Sequence, residues 1–272
     1  MTISVLTIVQ GRALALNNLI KGLGLSSLMP DELIIVLMNE QSRPLPASPF
    51  KISQVPMYSS SRMPLAAARN LAAKMASGER LVFLDVDCIP SSTLIKSYMS
   101  LPSAGFLLNG GIRYLGRDSI SELTDFEDLY LLSSPDTIRG ELDDLPHKLF
   151  WSLNFSCSAD DYHRIGGFDE AYKGYGAEDT DFAFKAREKG IEMALVNDCA
   201  YHQYHESFSP PLNHFLDILS NAKLFYDKWG CWPMEGWLSR FAQMGLIEFK
   251  ADKIITVRLP SEAELAGCKK YQ

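Results

Sequence analysis

The stretch "ERLVFLDVDCIP", Glu79 to Pro90, decides the fold. From Leu81 to Leu84 every residue is apolar, the pattern of a strand buried on both faces in the middle of a parallel sheet. The run stops at two carboxylates, Asp85 and Asp87, with only Val86 between them. Carboxylates so close repel unless something positive sits against them, and a metal ion would serve. Working outward, "PLAAARNLAAKMASG" predicts a helix opened by Pro64 and ended by Gly78, with Leu65, Ala68, Leu71, Ala72 and Met75 on one face. Further upstream, "ISVLTIV" and "ELIIVLM" read as strands, separated by a helix from Leu14 to Gly22. This β-α-β rhythm predicts an α/β fold in which ligands gather at the carboxyl ends of the strands, where Asp85 and Asp87 lie.

Composition narrows the function. The 272 residues are 47% hydrophobic, enough for a sizeable core, and a net charge of -7 argues against a nucleic-acid partner. The five cysteines form no C-x-x-C pair, so neither a disulfide framework nor a zinc knuckle is expected. The opening "MTISVLTIVQGR" has no basic leader, and no apolar run approaches the roughly 20 residues of a membrane span. A cytoplasmic protein is expected; peripheral membrane or complex association and the oligomeric state stay open.

Downstream, "FLLNGGIRYLG" reads as a strand pair about Gly110 and Gly111, and residues 131–149 as a long aperiodic loop suited to a lid. A second D-x-D, Asp179-Thr180-Asp181, shows how cheap that pattern is. It opens a helix with acids in the first turn, bases in the last and Gly190 beyond, so dipole and cap effects alone account for Glu178, Asp179 and Asp181. Leu212 to Phe249 reads as an aromatic-rich helical tail.

Three blocks taken together carry more. "ARN" at Ala68–Asn70, "FLDVDCIP" at Phe83–Pro90 and "GGFDEAYKGYGAEDTDFAFKAREKG" at Gly166–Gly190 resemble family 2 glycosyltransferases of the GT-A fold. The last block looks like the galactosyltransferase carboxyl-terminal module of β-1,4-galactosyltransferases and chondroitin-type polymerases. The resemblance runs from Ile3 to His205 and implies a single-domain, Rossmann-like GT-A fold with a mainly parallel sheet flanked by helices. It divides the chain into a GT-A region at 1–208 and a helical extension at 209–272. Within the first, 1–115 would serve the nucleotide sugar and metal, and 150–208 the acceptor and catalysis.

The resemblance also implies roles. The donor would be a nucleotide diphosphate sugar, with uridine (a UDP-sugar) favoured by analogy, and the acceptor a hydroxyl of a glycan or other small molecule. Asp87 would coordinate a divalent cation, and Asp85 would bind it through water or hold the ribose. "YHQYH" offers His202 and His205 at the family's ligand spacing, and mixed carboxylate and imidazole ligation favours Mn²⁺ over Mg²⁺. Asp179 matches the general base, with Glu178 bonding sugar hydroxyls and Asp181 in the substrate set. Trp151 and Tyr175 offer aromatic faces, and Gly174 and Gly176 permit tight turns beside a sugar ring. Arg69 and Asn70 would lie near the diphosphate.

The chain also departs from the family. The usual opening turn is replaced by Thr7-Ile8-Val9-Gln10-Gly11-Arg12, leaving Thr7, Val9 and Arg12 for base and phosphate contacts. The aspartate that usually follows the second strand is missing, and Asn39 or Glu40 stands in its place. Val86 joins the donor set by position. Rival readings are a sugar nucleotidyltransferase, which the single glycine of "VQGRALA" disfavours, and a non-catalytic carbohydrate-binding protein, which retention of Asp85, Asp87 and Asp179 disfavours.

Overall fold

The computed structural model describes residues 1–61, 63–102, 104–121, 124–138 and 145–270. Strand β1 (Ile3–Val9) shows why the sheet has two covered faces: all seven of its residues are buried. Leu6 and Ile8 pack into one apolar cluster, while Ile3, Val5 and Val9 pack into another on the opposite face. The first cluster takes in Ala68 and Ala72 of α2 (Leu65–Met75), and the second takes in Leu16, Leu19 and Leu23 of α1 (Ala13–Gly24).

Strands β2 (Glu32–Met38), β3 (Lys51–Met57) and β4 (Arg80–Leu84) join β1 in the parallel order β3-β2-β1-β4. The sheet then turns mixed. The short β5 (Cys88–Pro90) follows the two aspartates, and β6 (Phe106–Leu115), β7 (Ser133–Pro135), β8 (Asn154–Ser158) and β9 (Glu192–His202) complete it in the order β4-β8-β6-β9-β5, with β7 on the flank of β6. Helices α3 (Leu94–Met99), α4 (Ala159–Ile165) and α5 (Glu178–Glu188) connect these strands. Beyond them, α6 (Phe215–Trp229) and α7 (Glu235–Gln243) gather a separate apolar cluster around Ile218, Leu238 and Phe241. No helix among the described residues is long and apolar enough to cross a membrane.

Several local expectations change. "FLLNGGIRYL" is one strand, not two, with a register irregularity between Gly110 and Gly111. Helix α2 ends because Ala76 turns extended, and Gly78 instead donates its N–H to Ser4 Oγ at 2.8 Å. Met75, expected on the buried face, is exposed. Within 131–149, β7 pairs with β6 and His147–Leu149 forms a 3₁₀ turn, so both ends of the expected loop carry structure. Its middle, 139–144, lies outside the described residues.

Candidate active site

A tight turn aims the two aspartates of the first D-x-D apart. As β4 ends, Asp85 N donates to Leu153 O at 2.9 Å, and Cys88 N returns to Asp85 O at 2.8 Å. The chain then enters β5, whose Cys88 and Pro90 sit opposite His202 and Ala200 of β9, while Gln203 N donates to Asp87 O at 2.7 Å. This antiparallel pairing brings "DVDCIP" and "YHQYH" together. Asp87 is 5% exposed. His202 Nε2 lies 3.6 Å from Asp87 Oδ1, and His205 Nε2 lies 3.4 Å from Oδ2. One ligand atom from each of the three falls within 4.8 Å of the others.

The chemistry of this set fits a divalent transition metal. Burial, with help from the Arg12 charge, lowers the pKa of both imidazoles to about 4. At neutral pH they present lone pairs, the form that binds a metal. Arg12, in a left-handed conformation at the start of α1, pairs its Nη1 with Asp87 Oδ2 and supplies the positive charge that the carboxylate requires. Asp85 is not part of the cluster. It faces Arg69, whose Nη2 is 3.4 Å away.

Arg69 carries the site across to α5. Its Nη1 donates to Glu178 Oε1 at 3.1 Å, and Glu178 Oε2 accepts from Gly176 N at 3.1 Å. Glu178 is therefore committed to the protein on both oxygens. Asp179, half-buried, has its pKa raised to about 7, first by burial and then by the Glu178 charge, against the opposing pull of Thr180 N at 2.7 Å and Arg69. A carboxylate that titrates there can take a proton near neutral pH. The N-cap position of α5, Ala177, is left-handed and has no side-chain cap, while within the first turn Asp179 Oδ1 accepts from Thr180 N.

Other expected residues divide between donor edge and scaffold. Asp181 is 0% exposed and faces α6: Trp229 Nε1 donates to its Oδ1 at 2.8 Å, Lys228 Nζ lies 2.7 Å away and Tyr172 Oη 3.3 Å. Expected in the substrate set, it is an internal anchor, because two positions along a helix turn the side chain by about 200°. Asn70, expected near the diphosphate, instead bonds Phe168 N and O, Tyr162 Oη and Glu170. One helical step from Arg69 turns it toward the Gly166–Glu170 loop. Val9 and Val86 bury their side chains in the core, leaving main chain alone for a donor. Thr7 is buried, and its Oγ1 finds no hydrogen-bond partner among the described residues. Asn39 accepts from Ser59 N and donates to Ser61 O, while Glu40 is engaged by Gly11 N and Arg43. Trp151 lies half-buried just before Leu153, the residue that accepts from Asp85.

Tyr175 does not present an open aromatic face. Its ring stacks on His214, with centroids 4.5 Å apart, and on Trp237 at 5.9 Å. Gly174 and Gly176, at φ of 70° and 101°, are crowded by protein rather than by an empty sugar site. A Cβ would collide with the Asp217 carboxylate at Gly174 and meet Met234 Sδ at 2.8 Å at Gly176. These C-terminal partners were missed in the sequence; the two glycines around Tyr175 were the one signal that something presses on this loop. A cavity of about 1040 Å³ elsewhere, lined by Ser91, Arg113, Asp136 and Asp198 among others, includes none of these site residues.

Comparison with known proteins finds similarity in both sequence and fold. Residues 143–207 match the family described as the N-terminal domain of galactosyltransferase. Validoxylamine A glucosyltransferase of Streptomyces hygroscopicus subsp. jinggangensis is 28% identical over 161 residues, 49% of this chain and 37% of that protein. The chain thus spans little more than a third of that relative's length. The S. aureus TarS 1-349 structure in complex with UDP superposes with a TM-score of 0.56 at 15% identity, covering 83% of this chain and 66% of that one. The GalNAc-T7 structure with UDP, GalNAc and Mn²⁺ gives 0.53 at 14% identity, over 75% and 43%. The chain is thus similar in part of its sequence to a galactosyltransferase domain and to a glucosyltransferase, and it shares the fold of the TarS and GalNAc-T7 structures.

Proposed function

We propose that the protein is a metal-dependent, inverting glycosyltransferase that moves a hexose or N-acetylhexosamine from a UDP-sugar to a hydroxyl of a glycan-type acceptor. The observation that carries this reading is two neighbouring groups of side chains, Arg12 with Asp87, His202 and His205, and Asp85 with Arg69 and Glu178 beside Asp179; the Asp85 charge acts on Arg12 and on both histidines.

Asp87, His202 and His205 would hold Mn²⁺ in preference to Mg²⁺, and that ion would neutralise charge developing on the departing diphosphate. Arg12 adds positive charge at the same edge. Asp85, paired with Arg69, would hold the ribose or a metal-bound water. Asp179 accepts the proton of the acceptor hydroxyl as that oxygen forms its bond to the anomeric carbon. The bond from that carbon to the diphosphate oxygen breaks on the opposite face, and the electron pair leaves with the nucleotide.

UDP in one structural neighbour and UDP with Mn²⁺ in another support the choice of donor and metal. Cys157, Cys199, Cys231 and Cys268 are free thiols, which favours a reducing, cytoplasmic setting. The division into donor half 1–115, acceptor half 150–208 and extension 209–272 belongs to the same proposal.

The test is a panel of nucleotide sugars assayed with and without Mn²⁺, reading nucleotide release and the anomeric configuration of the product. Transfer that needs Mn²⁺ and inverts the anomeric centre is expected. Retention of configuration, or turnover unaffected by chelation, would overturn the corresponding part of the reading.

A further inference from the structure

We infer that Asn221, on α6 in the C-terminal segment, is a positioning residue for Glu178 and, through it, for the proposed base Asp179. The inference rests on the proposed transferase activity and extends it to a residue far from the reacting atoms. Asn221 is 2% exposed, and its side chain is spent on the loop that precedes α5. Its Nδ2 donates to Lys173 O at 2.9 Å, Gly176 O at 2.9 Å and Tyr175 O at 3.3 Å, and its Oδ1 accepts from Lys173 N at 3.3 Å.

With two N–H groups and three carbonyls in reach, one N–H is shared between carbonyls. Backbone carbonyls at 173, 175 and 176 converge on one amide only if the loop folds into a single arrangement, and Gly174 and Gly176 supply the left-handed geometry it needs. The same arrangement aims Gly176 N at Glu178 Oε2, and Glu178 Oε1 in turn holds Arg69 against Asp85. Asn221 therefore acts in series: it sets the loop, the loop sets Glu178, and Glu178 sets both Arg69 and the charge beside Asp179. Asp217 and Met234 press on the same two glycines, so the segment after residue 208 closes over this loop instead of trailing from it.

Asn221→Asp is the sharpest probe, since it keeps shape and acceptor oxygen but replaces the donating amide with a charge that repels three carbonyls. Lys223→Gly, at an exposed position of the same helix, weakens α6 without touching the loop and serves as the control. Asn221→Asp is expected to lower kcat about 10- to 100-fold, the scale of a small misplacement of a reacting group. It should also shift the acid limb of the kcat profile while leaving the KM for the donor and the Mn²⁺ requirement in place.

Amide hydrogen exchange reads the clamp without any turnover: residues 173–177 should lose protection in Asn221→Asp and keep it in Lys223→Gly. Equal kcat losses in the two variants at matched Tm, or unchanged exchange in Asn221→Asp, would overturn the inference. Failure of the underlying reading shows differently, as a wild type that transfers no sugar although residues 173–177 exchange as expected in both variants.

Discussion

The Asp87 cluster and the loop before Asp179 each position a carboxylate, yet they are held by different means. Asp87 is placed by main chain: a strand exit, a return bond from Cys88 N to Asp85 O, and the pairing of β5 with β9. The 172–178 loop is placed by side chains from α6 and from the residue that precedes α7, with Asn221, Asp217 and Met234 each against it. A site held by main chain can lose a side chain and keep its shape. A site held by distant side chains loses position before it loses residues.

The largest expected effect lies on the first side of this comparison. Asp87→Ala should abolish Mn²⁺-dependent UDP binding in calorimetry yet leave Tm nearly unchanged, because the turn is held by backbone and the partly exposed Arg12 can turn to solvent. UDP binding that survives the substitution would remove the metal cluster from the mechanism. Next comes Asp179→Asn, which should cost roughly 10²- to 10⁴-fold in turnover, the usual loss for a positioned base, while donor affinity holds. Asp181→Asn should reverse that pattern, with modest turnover loss but a lower Tm, since Lys228 and Trp229 would face a neutral amide in a buried site. Similar turnover losses in both variants would return Asp179 to a capping role.

These contrasts also show what was legible in the sequence. The order β1, α1, β2, α2, β4 could be read because apolar periodicity is local, and each element announces itself within ten or so residues. The mixed half was harder. Nothing in "FLLNGGIRYL" says that a glycine pair is a register irregularity in one strand rather than a turn, since both use the same residues. Asp87, His202 and His205 could be named from motif spacing, but only the pairing of β5 with β9 brings them within reach of one another. Tyr175, Asn70 and Asp181, expected to face sugar or phosphate, are engaged by protein partners, and the sequence hides this for a common reason. Their types suit sugars and phosphates, and the partners that occupy them, His214, Phe168 and Lys228, are remote in sequence or carry no motif.

pH separates the two regions at smaller amplitude. With both histidine pKa values lowered to about 4, metal-dependent UDP binding should stay flat from pH 8 to pH 6. Turnover should fall over the same range, because Asp179 protonates below its value of about 7 and a protonated base accepts nothing. The loss approaches about tenfold per pH unit on the acid side. Parallel loss of binding and turnover would mean that one group serves both regions. At about the same amplitude, His202→Ala or His205→Ala should raise the half-saturating Mn²⁺ concentration about 10- to 100-fold, the scale seen even for residues behind metal ligands. An unmoved requirement in both variants would place the ligands elsewhere.

The smallest effect is on stability, and it discriminates by sign. If Asp179 merely capped α5, the helix N-terminus would favour its charged form, its pKa would fall in the native state, and Asp179→Asn would lower Tm at neutral pH. The structure gives the opposite shift, from 3.8 to about 7, with burial as the leading cause. Between those values the native state binds the Asp179 proton more tightly than the unfolded chain, so the contribution of Asp179 to stability is greatest below about pH 4 and declines as pH rises toward 7. Asparagine cannot ionise, and its Oδ1 can still accept from Thr180 N. Asp179→Asn should therefore match the wild type near pH 4 and melt higher by pH 7.5, the gap opening across that interval and staying level above it. Melting curves for the two proteins at pH 4, 6 and 7.5 are sufficient. A gap of the opposite sign would show that the helix end stabilises this carboxylate, and a residue whose charge is welcome there is poorly suited to take a proton from an acceptor hydroxyl.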